Sequence, residues 1–310
     1  MTSPGYRRDL ARPPRLSPRV RRTLGGLAFI APALIFMVFA MLWPLVLSIS
    51  KAFFHDDPRT GESVFSGLRN FVFFFTNLSL VKTLPTTLVF VVGATALAFV
   101  LGLLWALVLE QIKRGRSFLR AITLVPWVLP SVVTAFLWAW IFNGQFGVLN
   151  GVGRQLGILG ENVIWLADPT TANVAIVVAR AWQSLPWFTL MFIAALQSVP
   201  TELVEAVRVD GGGNWRVFQT VILPHLRFTV VIALILGAMG NLQLFDLIYA
   251  MTGGGPAGST SVMSLEVYQQ AFQVFDFGTA SAIGVIWILL LAVPTVLYVR
   301  SALPDHEKGM

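Results

Sequence analysis

Residues 199–224 read VPTELVEAVRVDGGGNWRVFQTVILP, a polar stretch that interrupts a strongly hydrophobic chain. Its first part has the features of a helix N-terminus. Pro200 and Thr201 are typical of a helix start. The carboxylates of Glu202 and Glu205 complement the positive end of the helix dipole. The sequence therefore predicts a short helix that begins at Pro200 and Thr201.

The second part of the stretch predicts a turn and another helix. Glycines at 211–213 are expected to end the first helix, because glycine adopts backbone conformations that helices do not continue. Asn214 is a candidate N-cap for a second helix that runs to Leu223 and ends at Pro224. The result is a predicted helix-turn-helix, a shape suited to insertion in a partner's groove.

The chain on both sides of this stretch has the composition of a membrane protein. Hydrophobic residues make up 56% and charged residues 12% of the 310 positions, against roughly 45–50% and about 25% in soluble domains. A membrane helix needs about 20 apolar residues. Blocks near that length lie at about 25–49, 85–109, 121–143, 173–197, 228–251 and 279–299. The predicted fold is an all-α membrane protein with six transmembrane helices.

The predicted organisation has one membrane domain between two tails. Residues 1–23 are rich in Arg and Pro, a composition that cannot bury a core, and predict a disordered basic tail. Residues 24–300 form the transmembrane domain, with a polar loop at 199–227, and residues 301–310 form a second tail. A cleaved signal peptide is the alternative for the first block, but the block is longer than a signal h-region and lacks a small-residue cleavage site.

Lysine and arginine are distributed unevenly between the loops, and this asymmetry predicts the orientation, because basic loops stay in the cytoplasm. With the N-terminus inside, most of the 22 basic residues are cytoplasmic. They are Arg7, Arg8, Arg12, Arg15, Arg19, Arg21, Arg22, Lys113, Arg114, Arg116, Arg120, Arg208, Arg216, Arg227, Arg300 and Lys308. We therefore expect both termini and the 199–227 loop to be cytoplasmic.

Several function classes have no support in the residues. The pI near 10.4 follows the membrane topology and no nucleic-acid-binding module is present, which argues against nucleic acid as a partner. There are no cysteines, and the three histidines are scattered without metal-ligand spacing, so we predict no catalytic residues, no metal site and no cofactor bound by this chain. A phosphate-binding loop of the GxxxxGK[ST] type is also absent, so ATP-derived energy would have to come from a partner.

The polar loop resembles the EAA signature of ABC importer permeases. The matching residues are Glu205, Ala206, Asp210, Gly211, Ile222, Leu223 and Pro224. The loop departs from the family pattern at Val207 and Gly212, where alanine is usual. In that family the loop is the coupling helix that docks on the ATPase subunit. The alternative reading is an ordinary interfacial loop.

Three further stretches narrow the resemblance to the carbohydrate-uptake branch, like the membrane subunits for maltose or glycerol phosphate. They read WLADPTTA at 165–172, LQSVP at 196–200 and FDLIYAMTGGGP at 245–256. The resemblance covers nearly all of 25–300. It implies a type I ABC importer permease fold in a bacterial or archaeal plasma (inner) membrane.

The same resemblance implies a set of partners and a transport function. These are a homologous second permease, two ATPase subunits that use ATP and Mg, an extracytoplasmic binding protein and a sugar-like substrate. An ion-driven secondary transporter is the alternative, and it would show inverted repeats and a midplane carboxylate pair. A membrane-embedded enzyme would need a nucleophile or acid–base cluster. Neither pattern is evident in the sequence.

Polar side chains within the hydrophobic blocks predict the substrate path, since such residues tend to face a cavity. The candidates are Ser131, Arg180, Gln183, Ser184, Trp187, Gly237 and Asn241. Helical spacing places the four at 180–187 on one face. The resemblance to the larger maltose-permease subunit puts Ser131 and Asn241 at polar sugar-site positions, and Arg180, Ser184, Trp187 and Gly237 at site positions with different side chains. Alternatively, Ser131 and Asn241 make only interhelical hydrogen bonds.

Arg180 is unusual because a cation inside a membrane helix must pair with an acid, reach water or meet an anionic ligand. Asp246 is the candidate acid, and the periplasmic face is the candidate route to water. Recognition of a phosphate or carboxylate on the transported molecule is the third reading. The sequence leaves these three open.

Overall fold

The computed structural model describes residues 18–56 and 62–302. The chain divides into two units, one up to Ser50 and the other from Lys51 onward. The predicted tail at 301–310 lies largely outside the described residues, as do the residues before Pro18.

The described part of the first unit is a helix with one irregular turn. Helix α1 spans Pro18–Met37, a π-helical turn spans Val38–Leu42, and helix α2 spans Trp43–Lys51. The block predicted at about 25–49 is therefore helical. The helix begins at Pro18, so the last residues assigned to a disordered tail are helical instead. Between residues 26 and 50 no side chain is buried, which fits an apolar helix that lipid or another chain covers.

The second unit contains a small hairpin and the remaining helices. Their order is β1 (Phe54–Asp56), β2 (Ser63–Phe65), α3 (Arg69–Thr76), α4 (Leu78–Val81), α5 (Thr83–Gln111), α6 (Arg116–Val128), α7 (Ser131–Ile141), α8 (Val148–Gln155), α9 (Pro169–Gln197), α10 (Thr201–Val209), α11 (Asn214–Val217), α12 (Leu223–Leu242), α13 (Asp246–Thr252), α14 (Met263–Phe272) and α15 (Phe277–Ala302). The strands are antiparallel, with Phe54 opposite Phe65. This hairpin was not predicted.

Helices α5 and α9 form the centre of the second unit and pack along much of their length. Small side chains make the close approach possible, since membrane helices associate through tight van der Waals packing. Ala94 and Ala98 on α5, and Ala175 and Ala179 on α9, are fully buried. Helix α12 packs against both members of this pair, and α15 packs against α12.

The helix predicted at about 121–143 is broken into α6 and α7, which are bent by 96°. The cause lies in the Leu129–Pro130 step between them. A residue before proline is pushed away from the helical region, and Leu129 is extended, with φ −67° and ψ 134°. The block predicted as one helix is therefore two helices, and the break leaves the carbonyl of Leu129 free to accept a hydrogen bond from another helix.

The helix predicted at about 228–251 also differs from the observed one. The observed helix starts much earlier, at Asn214, because α11 and α12 are joined without interruption by a π-helical turn at Phe218–Ile222. It ends at Leu242, and α13 is a separate short helix.

Two details of the predicted helix-turn-helix are consequently wrong. Pro224 does not end the second helix: it lies at the start of α12, where the missing N–H group is tolerated beside the irregular π turn. Asn214 is not the N-cap, because Gly213 occupies that position and makes no side-chain cap.

The described helices account for up to six membrane crossings by length and composition. Five helices are long and apolar enough to span a membrane: Gly26–Lys51, Leu78–Gln111, Pro169–Gln197, Asn214–Leu242 and Phe277–Arg300. The bent pair of α6 and α7 provides a sixth if the two cross as one. The prediction of an all-α, six-helix membrane protein is confirmed.

Candidate functional sites

A cavity of about 550 Å³ lies where the break between α6 and α7 faces α9 and α12. Its lining contains all seven residues predicted for the substrate path: Ser131, Arg180, Gln183, Ser184, Trp187, Gly237 and Asn241. Residues from three segments that are distant in sequence therefore meet around one space. Whether they contact substrate stays a prediction.

Arg180 is the charged residue of this lining and is held by two neutral amides. Its Nε–H donates to Oδ1 of Asn241 at 2.7 Å, and its Nη1 donates to Oε1 of Gln183 at 3.0 Å. Asn241 in turn donates through Nδ2 to the hydroxyl of Thr95 on α5 at 2.9 Å. Because Asn241 and Thr95 are buried, this chain of bonds fixes the direction of the guanidinium.

The ion pair between Arg180 and Asp246, one of the three possibilities that the sequence left open, is not formed. The charge of Asp246 acts on Arg180 through space. Among the described residues, however, no carboxylate lies within 4.0 Å of the guanidinium. The reason is that α12 ends at Leu242, so Asp246 belongs to a separate helix. There its Oδ1 accepts from the backbone N–H of Leu247 at 3.0 Å.

Gln183 connects the cavity wall on α9 to the break between α6 and α7. Its Nε2 donates to the carbonyl of Leu129 and to the hydroxyl of Ser131, both at 3.2 Å. The carbonyl of Leu129 is available because the helix is broken there. The amide of Gln183 thus bonds both to Arg180 and to the proline-induced turn. Ser131 and Asn241 do make interhelical hydrogen bonds, and both also line the cavity.

The remaining predicted residues shape the cavity in different ways. Ser184 donates its hydroxyl to the carbonyl of Arg180 at 2.6 Å, within its own helix. Trp187 is half-buried and packs edge-on against Phe188, with ring centroids 4.8 Å apart. Gly237 faces the same ring, since a Cβ at this glycine would lie 2.5 Å from Cζ of Phe188. The glycine is therefore required by the aromatic packing behind the cavity.

Sequence reasoning missed part of this lining. The missed residues are Trp127, Leu129, Pro130, Phe188, Leu236 and Gly240. Helical spacing could have found Phe188, which lies four residues after Ser184, and Gly240, which lies three residues after Gly237. Trp127 could not have been placed in this way, because it reaches the cavity only through the bend that Pro130 imposes.

The 199–227 segment forms a second candidate site. Helix α10 ends in a Schellman motif: the N–H of Gly212 donates to the carbonyl of Val207 at 2.8 Å, and the N–H of Gly211 donates to that of Arg208 at 3.0 Å. Gly211 has a φ of +77°, a left-handed conformation that favours glycine. The sequence prediction that glycine ends this helix is confirmed.

The two departures from the EAA pattern lie against each other. A Cβ at Gly212 would stand 2.6 Å from Cγ1 of Val207 and 2.7 Å from its carbonyl oxygen. The larger side chain at 207 therefore occupies the space that an alanine at 212 would need. The two unusual residues compensate for each other.

The seven predicted coupling residues do not form one pocket. Glu205, Ala206, Asp210 and Gly211 are exposed on α10 and its turn, and Leu223 and Pro224 are exposed on the following helix. Only Ile222 lines the adjacent groove, which has a volume of about 690 Å³. This groove lies between the ends of α5 and α9 and the 199–227 segment, and it includes Trp215 and Phe218, stacked with ring centroids 5.6 Å apart. The coupling role of the seven residues stays a prediction.

Comparison with known proteins decides the family. Residues 98–302 match the model of the binding-protein-dependent transport system inner membrane component. The chain belongs to this family. It is therefore a membrane subunit of a binding-protein-dependent transport system, as the resemblance of its 199–224 stretch predicted.

The relatives of this permease cover most of its length. It is 33% identical to the trehalose/maltose transport system permease protein of Thermococcus litoralis, over 89% of this chain and 92% of the relative. It is 32% identical to the sulfoquinovosyl glycerol transport system permease protein of Agrobacterium fabrum, over 87% and 88% of the two chains.

The fold is also that of a solved importer permease. The permease resembles a chain in the crystal structure of a bacterial ABC transporter involved in the import of the acidic polysaccharide alginate, with a TM-score of 0.77 and 20% identity. The match covers 92% of this chain and 96% of the other. The type I ABC importer permease fold is confirmed, and the family assignment argues against an ion-driven secondary transporter.

Proposed function

We propose that this permease forms half of the membrane path of an ATP-driven importer for a sugar or sugar-like solute. A homologous second permease completes the path, two ATPase subunits use ATP and Mg, and an extracytoplasmic binding protein delivers the solute. Both termini and the 199–227 segment lie on the cytoplasmic side. The family assignment supports this scheme, and the two relatives above are named as permeases for trehalose/maltose and sulfoquinovosyl glycerol.

The observation that carries the proposal is the chemistry of the 550 Å³ cavity. Sugar rings have apolar faces and hydroxylated edges, so a site for them combines aromatic surfaces with fixed hydrogen-bonding groups. The cavity offers the indoles of Trp127 and Trp187, and it offers Ser131, Gln183 and Asn241 on the surrounding helices. Its position at a helix break is typical of transport paths, where irregular backbone lines a cavity.

The substrate class is tested with the assembled importer. The complex, reconstituted in proteoliposomes with its binding protein, is screened for ATPase stimulation by neutral monosaccharides, disaccharides and glycerol phosphates. We expect selective stimulation by one class. An assembled complex that hydrolyses ATP but responds to none of these solutes would contradict the proposed function.

The coupling assignment is tested at Asp210 and Gly211. Charge reversal by Asp210→Lys and added bulk by Gly211→Leu are expected to lower transport and the yield of copurified ATPase, while membrane insertion stays normal. Gly157→Leu is the matched control, because Gly157 also has a positive φ, +70°, and open space around its Cα. Any loss caused by backbone strain alone is thus common to both glycines. Normal uptake by Asp210→Lys and Gly211→Leu would refute the assignment.

A further inference from the structure

Arg180 leaves most of its hydrogen-bonding capacity unused. A guanidinium carries five N–H donors, and Arg180 uses one at Nε and one at Nη1. Within the described part of the chain, the second Nη1 donor and both Nη2 donors have no acceptor. Carboxylates, phosphates and sulfonates are the groups that accept two parallel bonds from such a fork.

The partners of Arg180 orient its charge without cancelling it. Asn241 and Gln183 present neutral amide oxygens, and the remaining described lining of the cavity contains no acidic side chain. Asp246 acts on this charge only from a distance, and in a surrounding of low dielectric constant a cation that no carboxylate contacts strongly attracts an anion. The cavity wall therefore has a net positive charge at one fixed point.

Space for a ligand group is available beside the unused donors. Gly240 lies next to the guanidinium, and a Cβ at this position would be 4.0 Å from Nη2. Gly237 lies on the same face of α12, about one helical turn before Gly240, and also lines the cavity. The absence of a side chain at Gly240 leaves the region beside Nη2 of Arg180 open.

We propose that Arg180 makes the cavity selective for saccharides that carry an anionic group, a carboxylate, phosphate or sulfonate. The anion binds the free N–H donors of the guanidinium, and the sugar ring lies along the indoles of Trp127 and Trp187. This inference rests on the proposed function, since it names the substrate class of the same cavity. The charge of Arg180 selects anionic over neutral saccharides, and the aromatic and amide groups of the lining bind the sugar ring.

The test compares sugars that differ mainly in charge. Equilibrium binding of glucose, glucuronate and glucosamine to the detergent-solubilised transport complex is measured without the binding protein, so that only the membrane path selects. Glucose phosphate serves as a second anion, to separate carboxylate from phosphate recognition. We expect both anions to bind at least about tenfold more tightly than glucose, and glucosamine to bind least tightly.

Two pairs of variants test the role of the charge. Arg180→Gln is expected to bring glucose and glucuronate to similar affinities, and Ser131→Ala to weaken both without changing their ratio. Gly240→Asp places a carboxylate beside Nη2 and should neutralise Arg180, abolishing the anion preference. Its uncharged control, Gly240→Asn, should keep the preference. The Gly240 pair retains Arg180, so the test holds even if Arg180→Gln fails to fold.

The outcomes separate this inference from the function on which it rests. Equal binding of glucose and glucuronate by the wild-type complex, or a preference that survives both Arg180→Gln and Gly240→Asp, would overturn the inference and leave saccharide transport intact. If no saccharide binds and none stimulates the ATPase in the complete system, the proposed function itself fails.

Discussion

Gly102 on α5 lies so close to α9 that a Cβ added to it would stand 2.6 Å from Cβ of Phe188. The same atom would lie 3.2 Å from the backbone nitrogen of Thr189. Backbone atoms cannot move aside as the end of a flexible side chain can, so the contact sets the distance between the two central helices.

Gly102→Ala is therefore expected to lower stability by about 1–3 kcal/mol, the usual cost of overpacking. The measurement is the thermal unfolding temperature of the purified protein in detergent. Gly93→Ala is the matched control on the same helix, because its Cβ would meet only the methyl groups of Val177 at 3.4 Å, an ordinary contact. We expect this control to be neutral or to gain up to about 1 kcal/mol from improved helix propensity. Equal effects at both glycines would show that the helix distance is not set at Gly102.

The pair of Val207 and Gly212 predicts non-additive mutations. Gly212→Ala alone should destabilise the end of α10, since the new Cβ meets both the side chain and the carbonyl of Val207. Combination with Val207→Ala removes the contact with Cγ1 and should recover part of the loss. Thermal unfolding of the single and double variants measures the coupling, which we expect to be about 0.5–3 kcal/mol for residues in contact. Gly213→Ala, which has open space around it, should leave stability unchanged, and strictly additive effects would contradict the compensation.

Asn150 fastens the loop that follows α7. Its Nδ2 donates to the carbonyls of Gly144 at 3.0 Å and Val163 at 2.9 Å, and its Oδ1 accepts from Nε1 of Trp165 at 3.0 Å. The side chain is only 1% exposed. Asn150→Leu leaves these polar groups without hydrogen-bond partners, and each lost partner lowers the free energy of unfolding by about 1–3 kcal/mol.

We expect Asn150→Leu to lower the unfolding temperature and to raise the susceptibility of this loop to limited proteolysis. Asn150→Asp should have a similar effect, since a carboxylate cannot donate to the two carbonyls. An unchanged proteolysis pattern in both variants would show that other contacts hold the loop.

Glu110, at the end of α5, connects this helix to the start of α6 and the end of α9. It forms an ion pair with Arg116, accepts from Nη2 of Arg120 at 3.4 Å, and accepts from Nε2 of Gln197 at 3.3 Å. Glu110→Gln should lower stability by about 1 kcal/mol or less, because the group is partly exposed to water. The loss should shrink at high salt, which screens exposed charges, and unfolding curves at two ionic strengths measure it. The exposed loop residue Glu161 provides the control Glu161→Gln, and a salt-independent loss at Glu110 would exclude the electrostatic explanation.

The predicted orientation can be tested directly because the chain has no cysteine. Single variants Glu202→Cys and Glu161→Cys place thiols at exposed positions on α10 and in the loop before α9. With an impermeant maleimide on intact cells, we expect labelling of position 161 and protection of position 202. Inside-out vesicles should reverse the pattern. Labelling of position 202 in intact cells would show that the orientation is the reverse of the predicted one.

Much of the fold could be predicted because a membrane helix has a simple physical requirement, a long apolar run. The helices at 85–109 and 173–197 were found almost to their ends for this reason. The break at Leu129 was missed, since Pro130 is compatible both with a kinked helix and with a chain that turns through 96°. The continuation through Pro224 was missed for the related reason that a π turn can absorb a proline.

The cavity residues were predicted because polar side chains in apolar helices stand out. The contacts between these residues were not predicted, since the partner of Arg180 depends on where α12 ends. A helix through residue 251 would have brought Asp246 onto the same element as Asn241. The observed end at Leu242 moves it to α13 and leaves Asn241 as the residue that Arg180 contacts. Asn150 gave no local signal, because a buried asparagine on a short helix such as α8 has the same sequence context as an exposed one.

The uninterrupted helix from Asn214 to Leu242 makes one mechanical element of two distant sites. Its 29 residues span about 40 Å at about 1.5 Å per residue. Trp215 lines the groove at one end, and Asn241, which holds the guanidinium of Arg180, lies at the other. A tilt imposed on the first end would swing the second as a lever does, so the direction in which Arg180 points would change with no change in its own helix.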